Sequence, residues 1–310
     1  MKRNRVSYLC YFLSNVPKVL GYKLFRILPI RKKFRGLPLS LETTDQTLKS
    51  ALLSNKPFAA IRFGATELSA LNNHEKIELG FKKTYKDLVR SSMKQNAGYF
   101  PTDDVALKRY GDELLSLLKE TDYLGVSGVH MENYFARFYC PKAKYVLYEG
   151  MEPLRGCWRF ALEGKKVLVI SAFPNEIEEQ YKQKEKLFPR EEALPSFTLL
   201  TLQAPISFAD AKIEEPTFFD ALEKLEKEMD ALDYDVLLVG AGAYGSFLVL
   251  HAKAKGKQAI QTGGATPTLF GVLGKRWEHR DHVAKYVNEF WIRPSKKPDG
   301  YQNVEQGCYW

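Results

Sequence analysis

Near the end of the chain, two short apolar runs each stop at glycines and give way to a helical pattern. The first reads Asp235-Val-Leu-Leu-Val-Gly-Ala-Gly-Ala-Tyr-Gly245. The second, Gln258-Ala-Ile-Gln-Thr-Gly-Gly264, leads into Ala265 to Trp277. Glycine lets backbone N–H groups come close to a ligand, and a helix start adds unpaired donors and partial positive charge. Two such turns on neighbouring parallel strands would line the carboxyl edge of a sheet, where open α/β folds hold anionic ligands. Gly240, Gly242, Tyr244, Gly245, Gly263 and Gly264 are therefore candidate phosphate-binding positions. The pair Lys275-Arg276 lies just beyond and folds back over an anion or, alternatively, sits in a solvated turn.

The rest of the chain repeats this alternation. Strand patterns fall at Phe58–Phe63, Tyr123–Val126, Tyr145–Tyr148, Lys165–Ser171 and Phe197–Leu202. Helical patterns fall at Thr44–Ser54, from Gly64, at Thr84–Asn96, Asp103–Leu118, Asn175–Leu187 and Phe218–Leu232. Strands alternating with helices imply a mostly parallel sheet with crossovers. The expectation is an α/β fold: one Rossmann-like domain over 42–310, preceded by an arm over 1–41. With 310 residues, 45% of them hydrophobic, the chain can bury a large core. Cys10, Cys140, Cys157 and Cys308 show no CxxC spacing, which argues against a disulfide framework or zinc ribbon and fits a reducing cytosol. No small-residue cleavage site follows an apolar core, so a secretory signal is not expected.

Charge is concentrated in the arm. Residues 1–41 hold ten Lys/Arg and no acid, leaving 36 basic and 37 acidic residues in the remainder. The net charge of +9 thus belongs to the arm. A near-neutral body argues against a nucleic-acid partner. The arm is also apolar, with Val6, Tyr8, Leu9, Tyr11, Phe12, Leu13 and Val16 at three- and four-residue spacing. Polar residues interrupt every run before it reaches the ~18–20 apolar residues of a membrane span. Pro17 and Gly21 are expected to divide it into two short helices. A basic amphipathic segment over 1–36 fits an anionic membrane surface, and equally a helix packed on the body with its charges solvated.

Gly240-x-Gly242-x-x-Gly245 also matches the dinucleotide fingerprint, but the acid that should hold a ribose about twenty residues later is missing. Gln261 and Thr262 stand there instead. A purely structural role, glycine for tight packing, is the remaining alternative for either turn. Glu278-His-Arg-Asp-His282 places His279 and His282 one helical turn apart, without an identifiable third metal ligand. No GxSxG or P-loop is present.

Three stretches together resemble glycosyltransferases of the GT-D type of fold, including those of bacterial capsule and surface-polysaccharide synthesis. They are Ile61-Arg-Phe-Gly-Ala-Thr-Glu-Leu68; Val167–Phe173 with Gln180–Phe188; and Val239–Gly245 through Gly263-Gly264 and Phe270–Trp277 to Asn288–Pro294 and Glu305–Trp310. The resemblance covers 55–310. It implies a hexosyltransferase-like enzyme that moves a sugar from a nucleotide-sugar donor to a glycan or lipid-linked acceptor, at the cytoplasmic face of the membrane. Glu67 and Glu305 are then candidates for the carboxylate that accepts the acceptor's proton, with Arg62 and Gly64 on the donor side. The family's Asp-x-Glu pair binds manganese or magnesium. Here the aspartate position is Ala65, so only Glu67 remains as a metal ligand. Weak metal dependence is expected, with Asp103, Asp104 or His282 as the places to look should a metal be required. The alternative is a non-catalytic nucleotide-sugar or polysaccharide-assembly binding protein.

Overall fold

The computed structural model describes residues 2–25, 33–34, 37–129, 131–189, 194–207, 214–295, 297, 300–304 and 307–310. After helix α1 (Arg5–Phe25), a two-residue hairpin of β1 (Lys33–Phe34) and β2 (Leu37–Pro38) leads into α2 (Leu41–Leu53). The body is a seven-stranded sheet of β3 (Phe58–Arg62), β4 (Tyr123–Val126), β5 (Lys144–Leu147), β6 (Lys166–Ser171), β7 (Thr198–Gln203), β8 (Val236–Val239) and β9 (Gln258–Gln261). The order is β5-β4-β3-β9-β8-β6-β7, and every pair is parallel. The α/β class and the parallel sheet expected from the alternating pattern are what the chain forms.

Parallel strands covered on both faces read as continuous apolar runs, and β3 and β8 are buried at every position. Their side chains alternate between two cores. Ala59, Ile61, Leu237 and Val239 face α3 (Ala65–Glu78), α5 (Asp104–Leu117), α6 (Glu132–Phe138), α8 (Phe218–Asp230) and α9 (Tyr244–Ala254). Phe58, Ala60, Val236 and Leu238 face α2, Trp158 and Ile177 of α7 (Pro174–Lys182). The chain leaves β6 outward to β7 but leaves β8 inward to β9. Neighbouring strands that part in opposite directions open a crevice at their carboxyl ends.

Two local expectations change, and one helix forms where none was expected. The arm forms one helix through Pro17 rather than two. Its first turns are clamped to the body, so the hydrogen bond lost at Pro17 does not end it. The second glycine turn starts a 3-10 stretch over Gly263–Phe270, with Pro267 inside it, rather than an α-helix. Helix α6 carries no long periodic pattern. It is set by Glu132, whose buried carboxylate accepts the N–H groups of Ser127 (3.0 Å) and Gly128 (2.5 Å).

The arm has two apolar faces. On the inner one, Tyr8 is buried and donates to Asn72 Oδ1 at 2.6 Å. Tyr8 and Tyr11 meet the Tyr134 ring edge-on, and Asn15 Nδ2 donates to Asn133 at 3.0 Å. Arg3 donates twice to Glu75, at 2.8 and 3.0 Å. On the outer face Val6, Leu9 and Leu13 are 66%, 44% and 65% exposed. Among the described residues no helix is long and apolar enough to cross a membrane.

Candidate functional site

A cavity of about 500 Å³ opens over the carboxyl ends of β3, β9 and β8. The β3–α3 turn gives it Arg62, Gly64, Ala65 and Glu67, and the second glycine turn gives Gly263 and Gly264. Arg155, Glu149 and Glu152 close one side, and Arg276, Arg280 and Tyr309 close another. The sheet order makes this assembly: β9 lies between β3 and β8, so turns distant in sequence end side by side.

Arg62 is 4% exposed and already engaged. Its Nη2 donates to the Thr262 carbonyl, its Nη1 donates to the Tyr148 carbonyl at 3.4 Å, and the guanidinium lies 4.2 Å from the Tyr148 ring centroid. It ties the end of β3 to the second glycine turn through these carbonyls. Gly263 has φ +63°, and a Cβ there would sit 2.1 Å from Arg62 Nη2, so this position needs glycine twice over.

Glu67 sits in the first turn of α3, behind the glycine cap Gly64. The carboxylate folds back over that glycine, where a Cβ would meet Oε2 at 1.9 Å. It keeps a partial opening to the cavity. Burial still raises its pKa, against the pull of its own backbone N–H and of the Arg62 charge. Glu152 behaves oppositely. Burial pushes it up, but His282 (Nε2 3.1 Å from Oε2), the charge of Arg62 and the Arg155 Nε donor at 3.1 Å outweigh that and hold it below the ordinary range. Among the described residues, four arginines and three glutamates line the cavity, so cationic side chains outnumber acidic ones.

The first glycine turn is closely packed, and Gly240, Gly242 and Tyr244 also line a smaller hollow beside the cavity. A Cβ at Gly240 would lie 2.3 Å from the Gly263 carbonyl, and one at Gly245 would lie 2.7 Å from Gln261 Nε2. The Ala97 carbonyl accepts the Ala243 N–H at 2.9 Å and covers Gly242. Tyr244 is buried against Phe218, with ring centroids 4.1 Å apart. Gly242 alone of these lines the polar cavity. The cationic pair also divides: Arg276 turns inward, its Nη1 3.2 Å from the Tyr309 hydroxyl, while Lys275 is exposed. Arg155 and Glu152 had no sequence motif to mark them, and Arg280 lay within the Glu278–His282 stretch, which was marked only for its histidines. Glu305 lies outside the described residues.

Glu67 is the one carboxylate on the β3–α3 turn, and its environment favours the protonated form. Asp103 caps α5, accepting from Val105 and Ala106; Asp104 pairs with Arg90 at 2.7 Å. His282 faces Glu152 while His279 is exposed, so that histidine pair does not converge. Among the described residues, the trio with donor atoms within 4.8 Å of one another is His74, Glu78 and Asp112, away from the cavity, and Lys108 bridges its two acids at 2.8 and 3.0 Å. Magnesium and manganese are commonly held by one or two carboxylates with waters and substrate phosphates; the described cavity residues offer Glu67, Glu149 and Glu152, with no converging trio among them.

No family model matches this sequence, and no curated protein matches it. Two solved structures are similar to it. One is described as showing that "the highly conserved domain of unknown function 1792 has a distinct glycosyltransferase fold"; the likeness has a TM-score of 0.42 and 13% identity over 86% of this chain and 98% of that chain. The other is a selenomethionine-substituted structure of domain of unknown function 1792, with a TM-score of 0.41, 13% identity and the same coverage.

Proposed function

We propose that the cavity binds a nucleotide-sugar and that the chain is a glycosyltransferase acting on a glycan or lipid-linked acceptor. The observation that carries this reading is the convergence of Glu67, the Gly263–Gly264 helix start and the Arg155, Arg276 and Arg280 side chains on one cavity. An acceptor hydroxyl attacks the anomeric carbon, and the bond from that carbon to the diphosphate breaks. The diphosphate leaves with the electron pair. The hydroxyl proton passes to the Glu67 carboxylate. The leaving group is stabilised by the first N–H groups of the 263–270 stretch and by the arginines, the role a divalent cation would otherwise fill. The outer face of α1, with the arm's basic residues, holds the protein on the inner, anionic face of the cell membrane beside a lipid-linked acceptor.

Calorimetry with UDP-, GDP- and CMP-sugars, and hydrolysis assays with manganese or with chelator, test this reading. Binding of one class together with chelator-resistant hydrolysis supports it. Absence of binding to all three removes it, and activity that returns only with micromolar manganese removes its metal-independent form. A non-catalytic nucleotide-sugar or polysaccharide-assembly binding protein is the second reading, favoured by Ala65. It predicts binding without turnover.

A further inference from the structure

Beside the polar cavity lies a second, smaller hollow of about 80 Å³ over the carboxyl ends of β6 and β8. It sits where the chain leaves these two neighbouring strands in opposite directions, the place at which open α/β sheets form a ligand crevice. Its lining is mostly apolar; of the four aromatic rings among its described residues, Tyr244 belongs to a sheet core, while Phe173, Tyr309 and Trp310 stand apart from it. Trp310 meets Phe173 edge-on at 5.9 Å, Tyr301 at 5.6 Å and Tyr309 at 6.1 Å. With Val304 these rings form an apolar cluster separate from both sheet cores. The rings are therefore fixed by one another at the sheet edge and do not serve the packing of the main cores.

The two hollows are joined. Asn96, Gly242, Gly263, Gly264 and Tyr309 line both. The Tyr309 ring lies across the second glycine turn, where a Cβ on Gly264 would meet its Cε1 at 2.6 Å. A ligand with a flat apolar end and an anionic end can therefore place the first against the rings and the second at the glycine turn and the arginines, with Asn96 between. We infer that the Phe173–Trp310 hollow is a nucleobase slot, and that a nucleoside diphosphate lies across the sheet edge with its base here and its diphosphate over Gly263–Gly264. This inference rests on the donor reading above. Every base has a π-face, so ring stacking adds affinity without demanding one base.

The test compares uridine, cytidine, guanosine and adenosine diphosphates with inorganic pyrophosphate, by calorimetry and by tryptophan fluorescence. Stacking on a base adds about tenfold or more in affinity. The expected result is that at least one nucleoside diphosphate binds about tenfold or more tighter than pyrophosphate and quenches fluorescence, and that Trp310→Phe loses most of the quench. Ala172 lies on the hollow's wall and is half-buried. Ala172→Phe fills the hollow without removing a contact, and should bring nucleoside diphosphates down to the affinity of pyrophosphate while leaving pyrophosphate itself unchanged. Nucleotides no tighter than pyrophosphate in the wild type would overturn the slot while leaving an anion site. An Ala172→Phe protein that binds nucleotides normally but fails with a lipid-linked acceptor would give the hollow to the acceptor and overturn the inference. Binding of neither pyrophosphate nor nucleotide would remove the donor reading and the slot with it.

Discussion

Glu67 carries a cost and a use in the same atoms. Its folded pKa lies above its unfolded value, so the folded state holds the proton more tightly. The corresponding stability is full at low pH and is lost as pH rises through the raised pKa. Glu67→Gln removes that loss, and the variant is expected to melt at a higher temperature than the wild type at pH 7, as calorimetry would show. The same substitution removes the base. Transfer should fall about 10²–10⁴-fold with donor affinity little changed. Because only the ionised carboxylate accepts a proton, wild-type transfer should decline with falling pH at a higher pH than an unperturbed carboxylate gives. A transfer rate that is unaffected by Glu67→Gln would move the base elsewhere. The sequence marked Glu67 and Arg62 through the resemblance carried by Ile61–Leu68, where a strand pattern gives way to a helical one. It did not expose the partners of Arg62, which are carbonyls 86 and 200 residues away. Nor does adjacency say which of Lys275 and Arg276 faces inward; the turn geometry decides that.

Helix α3 serves two purposes, the cavity at its start and the arm at its end. Glu75 is fully buried, yet it takes two bonds from Arg3 and one each from the Tyr134 (2.5 Å) and Tyr139 (2.6 Å) hydroxyls. Burial raises its pKa, but these donors win and hold it below the ordinary range. A depressed carboxylate contributes stability that is complete above its unfolded pKa and is lost as pH falls through the folded one. Glu75→Gln should cost about 2 kcal/mol, as expected when buried donors lose a charged acceptor, and should flatten the acid limb of a urea-stability profile. An unchanged urea midpoint would show that the arm docks through its aromatic residues alone. A hint of this role was present in sequence, since Leu68, Leu71 and Glu75 share helical spacing and a charge at a core position needs a partner. That the partner is Arg3 was not legible, because only the tertiary fold brings the arm there. The long apolar strands and periodic helices were legible for the same reason that they form: burial on both sheet faces leaves continuous apolar runs in the strands, and the helices that cover them keep a 3.6 period. Helix α6 and the 263–270 stretch were not, because a capping carboxylate and a glycine at positive φ set them.

How the whole protein meets its surroundings turns on the arm having two faces. Deleting residues 1–36 would be a poor test of membrane contact, because Tyr8, Tyr11 and Asn15 belong to the packing of the body. Val6, Leu9 and Leu13 do not, being 66%, 44% and 65% exposed along one stripe of α1. Apolar side chains entering a bilayer interface add to the attraction of basic residues, each of which is worth about 1 kcal/mol near an anionic surface. The docked inner face fixes the stripe relative to the cavity. The chain would therefore lie on the lipid in one orientation instead of swinging from a tether, and a lipid-linked acceptor would reach the cavity at raised local concentration. Replacing Val6, Leu9 and Leu13 together by serine should change the unfolding free energy from urea titration by no more than about 0.5 kcal/mol per site, as for exposed positions. Co-flotation with vesicles containing phosphatidylglycerol should drop sharply, and transfer to a lipid-linked acceptor should slow while nucleotide-sugar affinity holds. Wild-type protein that fails to float with such vesicles at low salt would remove the membrane from this account and leave α1 as a helix packed on one side.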